Sequence, residues 1–328
     1  MTRRITTQGA FATALLGLAL ALGGCSGELP PPSLVDRFRV LAVRAEPPEV
    51  APGETAALDL LLVDPYAPAE GRARTFLWLA CATPSGTSAT ACAQFATDPS
   101  AALPGMATGA ITLAACDDPA GSLTGGGLCL LGSDEAATYV PPADFLDAGD
   151  ESRAVTMFVA AATGDTDALS CVMQMVEQGS MAVDCQVSYK RLTVSRSATP
   201  NHNPGLAALV LDDADLPEAT VTPVGPGDHV LQAAATDGSA EGFTKDDGTA
   251  ATEALLLSWY VAAPGEPGST REPGKLKLYR TEIPGSDQTF TAPEEAGDVV
   301  LWVVIRDDRG GVGWLRRDLT ATGGTVGP

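Results

Sequence analysis

A pattern that occurs twice in the chain limits its fold more than any other feature of the sequence. Strand-forming residues surround a tryptophan at 75–80 and again at 256–261, and a threonine, an aromatic residue and a proline follow at 137–142 and 288–293. Each copy then has a β-rich run, a turn and a closing strand; the runs are 154–160 and 299–305, and the closing strands are 187–194 and 312–319. Features matched in the same order indicate two copies of one folding unit.

The segments between turns are short, which indicates strands rather than helices. The chain contains 35 glycines and 25 prolines, and these separate apolar runs of five to eight residues. Beyond the N-terminal segment, no long stretch keeps a helical period. A hydrophobic content of 45% is enough to build packed cores. The sequence therefore predicts an all-β protein made of antiparallel sandwiches.

The two copies resemble the immunoglobulin-like sandwich, in particular the PKD-like and bacterial immunoglobulin-like modules of surface proteins. In the second copy the Trp259 strand is similar to strand C, residues 289–305 to the passage from strand E to strand F, and residues 307–311 to the F–G turn. The resemblance implies two tandem immunoglobulin-like antiparallel β-sandwiches, each with a tryptophan packed across its core. The antibody-type disulfide has no counterpart, because neither 55–63 nor 154–160 contains cysteine.

The N-terminal segment has the form of an export signal. Arg3 and Arg4 precede an apolar run at 10–22, whose thirteen residues are fewer than the roughly 20 that a membrane-spanning helix needs. The run ends in Leu22-Gly23-Gly24-Cys25, which resembles the bacterial lipobox. The alternative interpretation is an ordinary signal peptide followed by a chance cysteine.

The lipobox resemblance implies that residues 1–24 are removed and that Cys25 carries fatty-acyl chains such as palmitate, which hold the protein on the membrane. Ser26, in place of an aspartate, favours the outer membrane over the inner membrane. Three consecutive prolines at 30–32 predict a short, stiff tether between the anchor and the folded part.

The predicted organisation has five parts. In chain order they are a lipoprotein signal peptide (1–24), a tether (25–35), a first immunoglobulin-like domain (36–198), a linker (199–205) and a second immunoglobulin-like domain (206–328). The first domain carries an insertion at about 82–135, between its C-like and E-like strands, which we interpret as long loops held by disulfides.

Six cysteines remain once Cys25 is lipidated, and an exported protein folds where disulfides form. Six cysteines allow fifteen pairings. Short loops close at the lowest entropic cost, and spacings of 11, 13 and 14 residues separate Cys81–Cys92, Cys116–Cys129 and Cys171–Cys185. We therefore favour these three local disulfides. Zinc is a weak alternative, because the chain has neither a CxxC spacing nor a histidine near these cysteines.

Charge and composition argue against several function classes. The formal net charge of −21 argues against nucleic acid as a partner, since phosphate binding needs a basic face. Two histidines leave little material for a multi-histidine metal site, and we predict no cofactor and no metal. The weak candidates for calcium ligands are Asp212, Asp213, Asp215, Asp307 and Asp308. We favour the alternative that these carboxylates form a solvated acidic surface.

Two tryptophans and the two histidines are the remaining candidates for a site. Trp302 and Trp314 lie in neighbouring strands, and a sugar could stack on them if both faced outward, whereas strand alternation favours one inward and one outward. His202 falls in the linker and His229 begins a strand, and neither lies in a recognisable nucleophile motif. We predict that neither histidine is catalytic.

The sequence as a whole predicts a non-enzymatic, lipid-anchored protein of the cell envelope that acts as a binding, adhesion or structural module. Its expected partners are the membrane, through the N-terminal lipid, and a protein or glycan ligand. Two alternatives stay open. An accessory subunit of an envelope complex predicts an exposed edge strand or an apolar patch, and an envelope hydrolase predicts a concave site with convergent polar groups.

Overall fold

The computed structural model covers most of the chain beyond the predicted signal peptide, and the residues that it describes are 31–65, 72–82, 114–117, 123, 127–245, 248–264, 273–282 and 285–324. The described residues from Pro32 onward form one compact unit. Cys25 and Cys92 lie outside the described residues, so acylation of Cys25 and the Cys81–Cys92 disulfide stay predictions.

The described residues form twenty strands and one helix. In chain order these are β1 (Arg39–Glu46), β2 (Glu49–Val50), β3 (Ala56–Val63), β4 (Arg74–Ala82), β5 (Gly127–Gly132), β6 (Ala137–Tyr139), β7 (Ser152–Thr163), α1 (Ala168–Gln178), β8 (Cys185–Ser195), β9 (Leu206–Leu211), β10 (Ala214–Asp215), β11 (Thr222–Val224), β12 (Gly227–Ala235), β13 (Gly242–Thr244), β14 (Ala250–Thr252), β15 (Leu256–Ala262), β16 (Lys275–Leu276), β17 (Arg280–Glu282), β18 (Gln288–Ala292), β19 (Gly297–Arg306) and β20 (Val312–Ala321).

The first copy of the repeat folds as two facing sheets. One has the strand order β1-β3-β6 and the other has the order β2-β8-β7-β4-β5. Neighbouring strands are antiparallel except for the short parallel pairing of β2 with β8. Side chains from both sheets, among them Phe38, Leu58, Trp78, Met157 and Leu192, fill the space between them.

The second copy repeats this arrangement with the sheets β10-β9-β12-β18-β16 and β11-β20-β19-β15-β17. Its core includes Leu209, Leu231, Trp259, Phe290 and Val303. The short strand β11 pairs in parallel with the last strand, β20, as β2 pairs with β8 in the first copy. This division of strands between two facing sheets is that of immunoglobulin-type sandwiches. The predicted all-β fold of two antiparallel sandwiches is confirmed.

The two tryptophans that define the repeat occupy matching places. Trp78 in β4 and Trp259 in β15 are both fully buried. Each indole N–H is satisfied by a group beyond its own strand: Trp78 Nε1 donates to the Asp134 carbonyl at 3.0 Å, and Trp259 Nε1 donates to Thr281 Oγ1 at 2.7 Å. The internal repeat read from the sequence is therefore a structural repeat.

A third apolar layer lies between the two sandwiches. The outer face of β1 and β3 supplies Leu61 and Val63, and the outer face of β15 and β19 supplies Tyr260 and Trp302. We call this layer the intersandwich layer; its buried members are Val35, Leu41, Ala42, Leu61, Val63, Tyr260, Ala262, Val300, Trp302, Val304 and Val312. Four of the sheets that the described residues form are thus stacked, with three apolar layers between them.

Strand β19 shows why one sheet of the second sandwich has to be covered by the first sandwich. Its residues from Val299 to Ile305 are all apolar, and they alternate between two layers. Val303 and Ile305 point into the core of the second sandwich, while Trp302 and Val304 point into the intersandwich layer. A strand with apolar residues on both faces must be covered on both faces.

The folded body begins within the predicted tether of 25–35. Val35 N donates to the Val261 carbonyl, and Val261 N donates to the Ser33 carbonyl, both at 2.9 Å. Ser33 and Val35 are buried. This segment therefore adds a short parallel pairing to the edge of β15, in the second sandwich, before the chain enters the first.

Helix α1, which the sequence analysis did not predict, covers the outer face of the sheet that contains β4 and β7. It begins after Asp167, whose side chain accepts a hydrogen bond from Ser170 N at 2.9 Å, and ends at Gly179 with φ +65°. Ala168 and Val172 pack on that sheet. None of the helices among the described residues is long and apolar enough to cross a bilayer.

The structure contains two of the three local disulfides that the spacing favours. Cys116 is bonded to Cys129, and Cys171 is bonded to Cys185, across 13 and 14 positions of sequence. The second bond joins α1 to the start of β8. Cys81 is also disulfide-bonded, and its predicted partner Cys92 lies outside the described residues.

Candidate functional site at the sandwich junction

The linker between the sandwiches is bonded to both of them. Asn203 Nδ2 donates to the Ala45 carbonyl and to Glu46 Oε2 in the first sandwich, both at 2.7 Å, and Asn203 Oδ1 accepts from Val312 N in the second at 2.8 Å. Asn201 is 1% exposed, and its backbone N–H donates to Glu49 Oε2 at 2.9 Å. These bonds hold the linker in one conformation.

Arg309, in the turn between β19 and β20, joins carboxylates of both sandwiches. Its guanidinium donates to Glu49 Oε2 of the first sandwich at 2.7 Å and to Glu253 Oε1 of the second at 3.3 Å. Glu241 lies 3.9 Å away, and the Phe243 ring lies 5.2 Å below the guanidinium. Because Glu49 and Glu253 are buried, a cation at this position offsets the cost of desolvating them.

The turn itself is shaped to meet the linker. Asp307 Oδ1 accepts hydrogen bonds from Arg309 N at 2.9 Å and from Gly311 N at 2.7 Å, which closes the turn. A Cβ on Gly311 would clash with Asp307 Oδ2 and would lie 2.8 Å from the His202 carbonyl. Glycine at 311 therefore permits the close approach of linker and turn.

Two buried ionisable groups beside Arg309 have shifted pKa values. Burial lowers the pKa of Lys190 to about 8, and the nearby Asp307 carboxylate opposes this only in part. The Lys190 ammonium donates to the Gly310 carbonyl across the junction. Burial also raises the pKa of Glu253, and a hydrogen bond from Glu241 N offsets only part of that effect. The junction thus holds buried charges from both sandwiches in direct contact.

A cleft of about 900 Å³ opens beside Arg309. Ser195 and Arg191 line it from the first sandwich, and Phe243 and Lys245 line it from the second. Hydroxyl groups, three cations, three carboxylates (Glu49, Glu151 and Asp308) and one aromatic ring line the cleft, and this mixture suits a polar ligand. The described residues that line the cleft include no histidine or cysteine.

The first group of calcium candidates forms a turn held by hydrogen bonds within the protein. Asp212 and Asp213 lie between β9 and β10 with φ values of +49° and +64°. Asp212 Oδ2 lies 2.6 Å from His229 Nδ1, and Asp212 Oδ1 accepts from Val230 N at 2.9 Å. Asp215 is exposed on β10. The Asp212 carboxylate therefore already has protein donors at both oxygens.

The second group lies in a separate turn, between β19 and β20. Asp307 is buried and closes that turn, whereas the exposed Asp308 accepts from Ala254 N at 3.3 Å. Among the described residues, no cluster of three or more histidine, cysteine, aspartate or glutamate side chains has the form of a metal site. The structure does not bring the five candidates together.

Both imidazoles are engaged by hydrogen-bond acceptors. His202 Nδ1 lies 2.7 Å from Glu241 Oε1 on the surface. His229 Nδ1 faces Asp212, and its Nε2 lies 2.8 Å from the Gly225 carbonyl. Burial lowers the pKa of His229, but these two bonds and the negative charges of Asp212 and Asp228 together outweigh burial and hold that pKa above its ordinary value. In the described part of the chain, no hydroxyl or thiol is hydrogen-bonded to either imidazole.

The expectation that Trp302 and Trp314 face opposite sides is wrong. Trp302 is paired with Arg316 and Val304 with Trp314, so both indoles lie on the outer face of the sheet. Trp302 is only 6% exposed because the first sandwich covers it. Trp314 lies at the margin of the layer, 4.4 Å from the Arg44 guanidinium. The pair is therefore part of the junction and not an open platform for a sugar.

No pattern in the sequence identified the residues that make the junction, above all Arg309 and Glu49. They are 260 positions apart, so no local motif contains both. One signal was present in the sequence. The run from 299 to 305 has no polar residue, which indicates a strand covered on both faces. That signal predicts a covering partner without identifying it.

No protein-family model matches the chain, and no curated protein matches it. Matches exist among solved structures. Escherichia coli alpha-2-macroglobulin activated by porcine elastase is 11% identical over 88% of this chain and 22% of its own, with a TM-score of 0.22. The Yersinia pseudotuberculosis adhesin InvE is 12% identical over 87% of this chain and 60% of its own, with a TM-score of 0.21.

A third match is the pair of tandem V-type regions of VCBP3, a v-region-containing chitin binding protein. It is 14% identical over 86% of this chain and 99% of its own, with a TM-score of 0.29. This chain spans about a fifth of the alpha-2-macroglobulin and less than two thirds of InvE. Identities and TM-scores this low transfer neither family nor function, and the sandwich assignment rests on strand order and packing.

Proposed function

We propose that this protein is a lipid-anchored component of the bacterial cell envelope, attached to the outer membrane through acyl chains on Cys25. Its two sandwiches act together as a binding, adhesion or structural module, and it catalyses no reaction. The ligand is a protein or a glycan. The motif at 22–25 supports the anchor, and the packing of the two sandwiches supports the module.

The observation that carries the proposal is the intersandwich layer. Leu61, Tyr260 and Trp302 are at most 9% exposed in it, and burying side chains of this size contributes about 1.5–3 kcal/mol each. Asn203 and Arg309 add hydrogen bonds across the same junction. Domains joined by a large apolar contact do not reorient freely. Any loop or cleft on this body is therefore displayed in one fixed geometry.

The cleft beside Arg309 is the concave surface that we assign to ligand binding. Arg191 and Lys245 supply donors to it, and the Phe243 ring supplies an apolar contact. Sugars and peptides offer acceptors and apolar faces of matching size, whereas the net charge of −21 disfavours nucleic acid. Because residues of both sandwiches line the cleft, it exists only while they stay packed together.

The anchor is tested by labelling cells with radioactive palmitate and fractionating their membranes. Cys25→Ala is expected to lose the label and to leave the membrane fraction, because no other residue of the predicted motif can be acylated. Ser26→Ala is the matched control and is expected to keep both properties. Full membrane retention of Cys25→Ala would contradict the proposed anchor.

Ligand binding is tested by retaining solubilised envelope proteins and polysaccharide on the immobilised, lipidated protein. Lys245→Glu, in the cleft, is expected to lower retention of the bound component about tenfold, the effect of losing one hydrogen bond to a charged group. Arg316→Glu makes the same charge change outside the cleft and is expected to have no effect. Equal retention by the two variants would exclude the cleft as the binding site.

A second candidate function, an accessory subunit of an envelope complex, is favoured by the outer surface near β8. Tyr189 is 71% exposed and Val183 is 65% exposed. Among the described residues, β8 pairs with β2 only at Thr193 and Val194, and no strand is paired on that side of β8 from Cys185 to Tyr189. Stable co-purification of one protein, lost in Tyr189→Ser and kept in Lys245→Glu, would favour this function over the first.

A further inference from the structure

The structure fixes the place where the chain leaves the folded body toward its N-terminus. Ser33 and Val35 are hydrogen-bonded to Val261 at the edge of β15. Arg39 Nη1 holds the segment from the other side, donating to the Pro32 carbonyl at 2.8 Å and to the Leu34 carbonyl at 3.2 Å. The chain toward Cys25 therefore starts from a defined point on the second sandwich.

A cluster of aromatic and basic side chains surrounds this point. The Tyr279 carbonyl accepts from Trp259 N at 3.0 Å, which places Tyr279 beside Ser33 along the same edge of β15. The Tyr260 and Tyr279 hydroxyls are 2.9 Å apart. The Arg39 guanidinium lies 5.5 Å from the Tyr260 ring, and the Arg280 guanidinium lies 5.3 Å from the Tyr279 ring.

The residues that flank Arg39 and Tyr279 in sequence are basic and partly apolar. Arg37, Lys277 and Arg280 are exposed, and Leu278 is 46% exposed. We call these neighbouring residues together with Arg39 and Tyr279 the tether-exit surface; its members are Arg37, Arg39, Lys277, Leu278, Tyr279 and Arg280. The two segments that form it, 31–39 and 277–282, carry four cations and two carboxylates, whereas the whole chain has 20 cations and 41 carboxylates. The surface reverses the charge balance of the molecule.

The length of the connecting chain keeps this surface close to the membrane. Seven residues lead from Cys25 to Pro32, and an extended chain of that length reaches at most about 25 Å. From the sequence, the prolines at 30–32 are expected to stiffen that connection. Acyl chains alone do not fix the orientation of an anchored body, so the orientation depends on the attraction or repulsion of each face by the bilayer.

We propose that the tether-exit surface docks on anionic phospholipid headgroups and so orients the body on the bilayer. Anionic lipids attract clustered Lys and Arg side chains and repel the remaining surface of an acidic protein. Leu278 and Tyr279 supply the apolar and amphipathic groups that suit the headgroup boundary. The inference rests on the proposed anchor at Cys25, which brings the surface within reach of the bilayer.

The surface is tested without the acyl chains, so that its failure is distinguishable from failure of the anchor. The mature chain from residue 25 with Cys25→Ser is sedimented with vesicles of phosphatidylglycerol and phosphatidylcholine in equal parts, or of phosphatidylcholine alone. We expect binding to the anionic vesicles only, and its loss at high salt. Equal binding to both kinds of vesicle, or to neither, would overturn the proposal.

The residues are tested with a charge-matched pair of double variants. Lys277→Glu with Arg280→Glu is expected to lower binding to anionic vesicles at least about 25-fold, at roughly fivefold for each cation removed. Arg74→Glu with Arg316→Glu makes the same change in net charge at exposed positions outside this surface and outside the cleft, and is expected to change binding less than about twofold. Equal losses in the two would show a net-charge effect and overturn the assignment.

A second measurement tests the orientation in the lipidated protein. Amide hydrogen exchange at 277–282 is expected to slow when the lipidated chain is moved from phosphatidylcholine vesicles to vesicles containing phosphatidylglycerol. Exchange at 206–211, in β9, serves as the internal reference and is expected to stay the same. Unchanged exchange at 277–282 in both membranes would also overturn the proposal.

Discussion

The two sandwiches differ in what covers the outer face of the sheet that carries the central tryptophan. In each, the sheet that carries the central tryptophan has apolar residues on its outer face as well as on its core face. In the first sandwich, α1 covers that outer face with Ala168 and Val172. In the second, the other sandwich covers it, and Trp302 packs against that partner. The two copies of the repeat therefore share the same kind of core, whereas the element that covers the outer face of the tryptophan-bearing sheet differs between them.

This difference has a thermodynamic consequence. The first sandwich covers its tryptophan-bearing sheet with its own chain, and only one end of its β1-β3-β6 sheet depends on the second sandwich. The second sandwich exposes Tyr260 and Trp302 whenever the first unfolds. We therefore expect the two to unfold together, with the intersandwich layer as the coupling element. The following substitutions test separately the covering by α1 and the covering by the other sandwich.

The largest effect is expected from truncating a covered aromatic residue in each sandwich. Trp302→Ala and Phe158→Ala each remove a large buried side chain and should lower the free energy of unfolding by about 3–5 kcal/mol. Trp302→Ala should also split thermal unfolding into two calorimetric transitions, because it weakens the contact between sandwiches. Phe158→Ala should keep one. A single transition in both variants would contradict the proposed coupling.

A similar or smaller loss is expected at the polar part of the junction. Arg309→Met keeps the packing on Phe243 but leaves Glu49 and Glu253 without their shared cation, and should cost about 3–5 kcal/mol in chemical denaturation. Arg316→Met removes an exposed arginine that pairs with Asp318, and should cost less than about 1 kcal/mol. Equal costs would mean that Arg309 is no more important than a surface ion pair.

Removing the disulfide between α1 and β8 tests the covering of the first sandwich alone. Replacing Cys171 and Cys185 together with alanine opens a loop of 14 positions, and the chain-entropy estimate for such a loop is about 3 kcal/mol. The destabilisation should appear without a second calorimetric transition, because the intersandwich layer is intact. A split transition in this variant would show that α1 also couples the sandwiches.

The remaining effects concern pH, and the two sandwiches should respond in opposite directions. The pKa of Lys190 is lowered on folding to about 8, so the unfolded chain binds more protons above that pH, and stability should rise between about pH 8 and the ordinary lysine pKa. The pKa of His229 is raised, so its contribution is present below its unfolded pKa and is lost as pH rises through the folded value.

Urea denaturation across this pH range checks both signs. Lys190→Met should abolish the rise in stability above pH 8. His229→Gln should flatten the fall near neutral pH, by less than about 1 kcal/mol because Asp212 is half exposed and solvent screens the pair. An unchanged pH profile in either variant would exclude that residue as its source.

The sequence could predict whatever depends on neighbouring residues. Gly and Pro punctuation and the alternation of apolar residues predicted short antiparallel strands, and the tryptophan at 78 and 259 marked the same strand in both copies. Short cysteine spacings favoured the disulfides Cys116–Cys129 and Cys171–Cys185, since loop-closure cost depends on sequence distance. Helix α1 was missed although Asp167 and Gly179 mark its ends, because its eleven residues show only a short helical period.

What only the tertiary structure decided is which surfaces meet. The apolar run at 299–305 had to be covered on both faces, yet no neighbouring sequence feature identifies β1 and β3 as the strands that cover it. Arg309 is hydrogen-bonded to Glu49, 260 positions away in the sequence, and Ser33 is hydrogen-bonded to Val261, 228 positions away. Side-chain burial depends on distances in space, and the sequence encodes those distances only through the complete fold. The candidate site lies between the two sandwiches, and for that reason the sequence of one copy of the repeat could not have predicted it.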